Sequence, residues 1–152
     1  MGRRRQRIPK EPVDARIEGL SHEGRGIAHV NDKIVFIDGA LPGEHVRFRY
    51  TRRRSQRDEG ITDEVLDPSP QRIDARCPHF GVCGGCSLQH LETADQIAHK
   101  AEVLAEHFRH MGAVQPERWL PALTGPVWGY RRKARLGVKY VPRKDDRVLV
   151  GF

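Results

Sequence analysis

Five short runs that alternate apolar and polar residues fill the first half of this chain: VDARIEGL (13–20), GIAHV (26–30), KIVFID (33–38), EHVRFRYT (44–51) and ITDEVL (61–66). A period of two puts one set of side chains on each face of a β-strand. Five strands packed so closely predict a small closed barrel, because an open sheet of that size leaves edges and one apolar face unprotected. The turns agree. Asn31-Asp32 pairs two residue types that tolerate positive φ, as a two-residue hairpin requires, and Ala40-Leu41-Pro42-Gly43 turns the chain between the third and fourth strands. In the fourth run Val46, Phe48 and Tyr50 alternate with Arg47 and Arg49, so one face enters the core and the other carries cations outward. Arg52, Arg53, Arg54 and Arg57 are expected to extend that basic face into a loop.

The rest of the chain divides at its prolines. Residues 1–12 carry Arg3, Arg4, Arg5, Arg7 and Lys10 without periodicity and read as a flexible basic arm before a barrel over 13–68. Asp67-Pro68-Ser69-Pro70 ends the fifth strand, since each proline removes a donor and restrains the residue before it. A cysteine-rich loop occupies 69–92. In 93–152, Thr93 and Gln96 make a capping box, and Ile97, Ala101, Leu104, Phe108 and Met111 fall on one helical stripe that stops at Gly112. Leu136, Val138 and Tyr140 then alternate, as do Val148, Val150 and Phe152, which predicts a hairpin turning over 142–146. A lone hairpin is barely stable in water, so the chain is expected to be a fragment or to meet partner strands supplied elsewhere.

All three cysteines lie in CPHFGVCGGC, residues 77–86. The spacing Cys77-x5-Cys83-x2-Cys86 converges two thiolates on one metal, and Gly84-Gly85 lets backbone amides turn towards the sulfurs. Zinc held by three thiolates and His79 or His90 is one occupant, and an iron–sulfur cluster is another. A radical-generating site that uses S-adenosylmethionine calls for three residues between the first two cysteines, where this chain has five. His99, His107 and His110 read as solvated helix residues. No phosphate loop, nucleophile elbow or H-E-x-x-H metal motif is present, so the chain offers no catalytic residue of its own.

The net charge of +7 is clustered. Residues 1–60 hold 14 Lys/Arg against 9 Asp/Glu, residues 61–129 hold 5 against 9, and residues 130–152 hold 8 against 2. Two basic segments therefore bracket an acidic middle, a distribution that points to a polyanion. Lys33, Arg47, Arg49, Arg52, Arg53 and Arg54 on the barrel, with Arg131, Arg132 and Lys133 at the start of the hairpin, are the candidate phosphate contacts. Tyr50 and Tyr130 are candidate exposed aromatics. The basic start MGRRRQRIPK has no apolar stretch behind it and no run is long enough to span a membrane, so a cytoplasmic protein is expected.

The run IEGLSHEGRGIAHVNDKIVFIDGALPGEHVRFRY resembles the TRAM domain, a small OB-like RNA-binding barrel. SPQRIDARCPHFGVCGGCSLQHL resembles the iron–sulfur loop of bacterial RNA uracil-5-methyltransferases, and a helix followed by YRRKARL is similar to the continuation of that family. From about residue 13 to 152 the chain is similar to the N-terminal portion of the TRAM-bearing 23S ribosomal RNA (uracil-5-)-methyltransferases. The resemblance implies a mainly β fold with one helix: a five-stranded TRAM barrel, an iron–sulfur loop, the helix and the start of a small β-domain. It further implies a 4Fe-4S cluster on Cys77, Cys83 and Cys86 with a fourth cysteine from downstream, 23S rRNA as partner, a monomer, and S-adenosylmethionine bound by a separate catalytic domain. By that reading these 152 residues alone are inactive. A free-standing zinc-binding RNA adaptor is the alternative.

Overall fold

A computed structural model describes residues 7–142 and 146–152. Arg3, Arg4 and Arg5 of the expected arm, and the hairpin turn residues 143–145, lie outside the described residues. The strands are β1 (Val13–Arg16), β2 (Gly19–Leu20), β3 (Gly26–Val30), β4 (Lys33–Asp38), β5 (His45–Arg53), β6 (Arg57–Asp67), β7 (Gly137–Val141) and β8 (Arg147–Gly151), with one helix, α1 (Thr93–His110).

β1 to β6 form one sheet in the order β1-β5-β6-β4-β3-β2. The expected five-stranded closed barrel is corrected here, because this hydrogen-bonded order has two ends. Both ends come from the single run 13–20, which breaks at Ile17-Glu18: β1 pairs antiparallel with β5, and β2 pairs antiparallel with β3. At the break the Ile17 N–H donates to the Glu44 carbonyl and the Glu18 N–H to the Ile27 carbonyl, at 2.9 and 2.8 Å. One strand thus hands over from one sheet edge to the other, and the covalent chain, rather than a ladder, spans the gap.

Turn chemistry explains β3–β4: Asn31 and Asp32 sit at φ 50° and 61°, the mirror-turn geometry that matches strand twist. The β5–β6 ribbon is longer than predicted. The sequence predicts a loop from Arg52 to Arg57, but β5 continues to Arg53 and β6 begins at Arg57, with Arg52 facing Glu59 and Arg53 facing Asp58 across the ladder. Three register shifts along β5 bend the ribbon around the core. Ala15, Ile17, Ala28, Val35, Ile37, Ala40, Val46 and Phe48 are buried there together. Phe48 needs a glycine beneath it: a Cβ on Gly60 would stand 2.6 Å from its ring. Tyr50 departs from its expected exposure; it is half-buried, edge-on to Phe48 at 5.0 Å.

After β6 the chain folds back onto the sheet. The fully buried Glu44 carboxylate accepts hydrogen bonds from the Leu41 N–H (2.8 Å), the Ser69 N–H (3.2 Å), and Arg72 Nε and Nη2 (2.5 and 2.8 Å). Arg72 also donates to the Gly39 carbonyl at 2.7 Å. Arg72 then bridges Leu91, flanked by Ile73 N–H to His90 O and Glu92 N–H to Gln71 O, each 3.0 Å. The excursion 74–89 that holds the cysteines is therefore closed at its neck and tied to the sheet through one carboxylate.

The capping residue of α1 is Glu92, one position before the expected Thr93; its carboxylate accepts the Thr93 N–H at 2.9 Å, and Gln96 Nε2 reaches back to the Leu91 carbonyl. At the other end Ala113, rather than Gly112, takes the left-handed conformation, φ 49°. No α1 residue is fully buried. Gln96, His99 and Val103 turn towards the rest of the molecule, while Leu104, Phe108 and Met111 stay exposed. β7 and β8 pair as the predicted hairpin, with Val138, Tyr140, Val148, Leu149 and Val150 all exposed.

Candidate functional site

The cysteine loop is a series of turns rather than a regular element. The Cys77 N–H donates to Gln89 Oε1 at 3.1 Å, Phe80 N–H to the Cys77 carbonyl at 3.0 Å, and Cys83 N–H to the His79 carbonyl at 3.0 Å. Cys77 and Cys83 are half-buried and Cys86 is exposed, all as free thiols. The end of β8 lies across this loop, with Phe152 N–H on the Cys83 carbonyl at 3.1 Å and its ring against Gly85. A Cβ on Gly85 would stand 2.6 Å from that ring, so only glycine leaves room for it. Backbone N–H groups of Phe152 and Gly85 also bear on the Cys83 sulfur and hold its thiol below the usual range, the electrostatics that favour a thiolate ligand.

Among the described residues no three His, Cys, Asp or Glu side chains are gathered into a set able to hold a metal ion. Neither imidazole joins the thiols: His79 is exposed and His90 is buried beneath the Phe80 ring at 5.1 Å. The donor chemistry of the loop nevertheless fits a soft metal centre, with three thiols on one tethered excursion and N–H donors at Cys83. Neither ring nitrogen of His90 has a hydrogen-bond partner. Burial, reinforced by the positive charge of Arg72, pushes His90 down to about 4 against the opposing pull of Glu44.

The candidate phosphate contacts separate into two groups. Asp58, itself buried, accepts from Lys33 Nζ (2.7 Å), Arg53 Nε (3.2 Å) and the Arg54 N–H (3.0 Å). Burial raises its carboxyl, but these donors outweigh that and leave it below the usual range. Arg47 clasps Asp14 with two bonds of 2.8 and 3.2 Å and reaches Glu64 at 3.2 Å. Arg49 pairs with Asp63 at 3.2 Å, Arg52 with Glu59 at 4.0 Å and Arg54 with Glu59 at 3.5 Å. The stripe that reads as bare cation in the sequence is thus matched by the acids of β6 and β1. Arg131, Arg132 and Lys133 are exposed and meet no carboxylate among the described residues, Arg131 lying over the Tyr130 ring at 5.6 Å. His99 also departs from expectation: its Nε2 donates to the Ser21 carbonyl at 3.2 Å, joining α1 to the β2–β3 loop.

Sequence reasoning misses Arg76 and Trp128, 52 positions apart in a chain where nothing local links them; the guanidinium lies 4.9 Å over the indole. No described helix is long and apolar enough to cross a membrane.

Residues 9–56, which run from before β1 to the turn between β5 and β6, match the TRAM domain family. This part of the chain is therefore similar to a TRAM domain. Along its whole length it is similar to 23S rRNA (uracil(1939)-C(5))-methyltransferases: 62% identical over 152 residues to RlmD of Alkalilimnicola ehrlichii, covering 100% of this chain and 34% of the relative. To RlmD of Nitrosococcus oceani it is 63% identical over 150 residues, covering 98% and 33%, and to that of Alcanivorax borkumensis 52% over 152 residues, covering 100% and 34%. The chain thus resembles the N-terminal, TRAM-bearing portion of the 23S rRNA (uracil-5-)-methyltransferases and spans about a third of the length of these curated relatives.

Proposed function

We propose that this chain is the RNA-recognising, iron–sulfur part of an enzyme that moves a methyl group from S-adenosylmethionine to C5 of a uridine in 23S rRNA. The observation that carries the reading is 62% identity, over the whole of this chain, to a relative whose name states that activity. In this reading the methyl-transferring machinery lies outside these 152 residues, and no residue here is assigned a catalytic role. The protein works in the cytoplasm, as a monomer on its RNA.

In this reading Arg131, Arg132 and Lys133 make the main phosphate contacts, and the exposed Arg49, Arg52 and Arg54 add weaker ones because each must share its charge with a carboxylate. Lys33, Arg47 and Arg53 serve the sheet first. Cys77, Cys83 and Cys86 would hold a 4Fe-4S cluster, which when bound supplies a rigid cross-link for the excursion. The N–H donors on Cys83 stabilise the thiolate form that such a ligand needs.

Titration of a 23S rRNA fragment tests the RNA reading. Affinity falls at least tenfold between about 50 and about 200 mM salt as phosphate counterions are released, whereas absent or salt-insensitive binding contradicts it. Metal analysis after anaerobic purification tests the cluster. Iron with inorganic sulfide and broad visible absorbance, lost in Cys83→Ser, is expected; stoichiometric zinc without sulfide is the contrary result.

A further inference from the structure

A cavity of ≈ 660 Å³ opens where the β2–β3 loop, the cysteine excursion, α1 and the root of the hairpin meet. Its volume falls in the range of sites for ligands the size of a nucleotide. Trp128, Tyr130 and Phe152 supply aromatic surface, and Lys100 and Arg131 supply positive charge. Among the described residues the one carboxylate on its wall, Glu23, already lies 3.6 Å from the guanidinium of Arg25. Arg76 lies over one face of Trp128 at 4.9 Å, yet Trp128 remains about half exposed and lines the cavity, whereas Arg76 does not. Indole backed by guanidinium, beside cations with no carboxylate partner among the described residues, is complementary to a planar base carrying an anionic phosphate.

We propose that this cavity receives one unstacked nucleotide of single-stranded RNA, with its base on the face of Trp128 opposite Arg76 and its phosphate on Arg131 and Lys100. The inference rests on the RNA-binding reading and adds a place for one base that the charge distribution alone does not define. Arg76, Trp128 and the base form a three-layer stack. The base edge is then left to the polar side chains of Thr93 and Gln89 on the wall. Stacking tolerates any base, so the cavity selects for an unpaired nucleotide more strongly than for its identity.

The test is a single-stranded heptanucleotide with 2-aminopurine at its centre, titrated into the chain at low salt. Binding quenches the fluorescence, and Trp128→Ala removes the quenching and weakens Kd by roughly tenfold. Trp128→Phe, which keeps a stacking ring, retains most of the affinity, and Arg131→Ala weakens binding while leaving the quenching of bound probe in place. Circular dichroism and the unfolding midpoint confirm that each variant is folded. Unchanged affinity and fluorescence in Trp128→Ala overturn the inference while leaving RNA binding standing. A wild-type chain that binds the probe without quenching also overturns it, as expected if protein segments fill the cavity. No binding by the wild-type chain removes the RNA reading and this inference together.

Discussion

Glu44→Ala lowers the unfolding free energy by about 3–5 kcal/mol, the cost of removing one partner from a buried, hydrogen-bonded ion pair. The carboxylate is fully buried and accepts from the Leu41 and Ser69 amides and from the guanidinium of Arg72, which without it keeps the neutral Gly39 carbonyl but loses its counter-charge. Its loss orphans two donors and leaves a largely buried cation unpaired. The excursion is anchored through Arg72, so the same substitution opens its neck and exposes the Arg72–Leu91 bridge to protease. Arg47→Ala also breaks ion pairs, but at the exposed surface, and costs little. Urea unfolding of the two variants separates these cases; equal small effects would mean that Glu44 does not clamp the excursion.

Acid destabilises the protein through His90. His90 is held neutral in the fold at about 4, below the usual 6.5, chiefly by burial and then by Arg72. A group whose folded pKa is depressed contributes its full stability above the unfolded value. That contribution is lost as pH falls from about 6.5 to about 4, and amounts to about 3 kcal/mol. His90→Leu removes this titrating group, so its loss of stability across that window is smaller by about that amount in urea unfolding followed against pH. Glu44 acts lower down. Burial raises its carboxyl, but Arg72 and the two amides bring it below its ordinary value, so its contribution is lost only under more acid conditions. A wild-type profile that is level between these pH values contradicts the burial of a neutral His90.

Local chemistry was readable where neighbours in sequence are neighbours in space. The bounds of β3 and β4 follow from Asn31-Asp32 and the alternation on either side. The helix and hairpin follow from their periods. What the pattern did not carry depends on distant partners. Arg52 and Arg53 extend β5 because Glu59 and Asp58 stand opposite them, and without that register a run of arginines reads as loop. The break at Ile17-Glu18 depends on β3 and β5 both claiming the same segment. Glu44 finds Arg72 only after a 28-residue detour, and this pair turns an expected linker into part of the sheet's packing. For the candidate site the positions of the cysteines and cations were legible, but the pairing that divides the cations was not. On α1 Phe108 meets the Trp119 ring at 5.9 Å, yet Leu104, Phe108 and Met111 all stay exposed, so a helical period identified the element without its surroundings.

In the reading proposed above, RNA is engaged by the cations that the fold leaves without a carboxylate partner among the described residues. Its most direct test is the slope of log Kd against log salt for a 23S rRNA fragment, compared between two triple variants. Replacing Arg131, Arg132 and Lys133 by alanine reduces the slope by up to about 2–3, roughly 0.7–0.9 for each phosphate no longer neutralised, and weakens binding at every salt concentration. Replacing Lys33, Arg47 and Arg53 by glutamine leaves the slope almost unchanged in whatever fraction remains folded. The reverse pattern, with the sheet residues carrying the slope and the 131–133 cluster silent, contradicts the account.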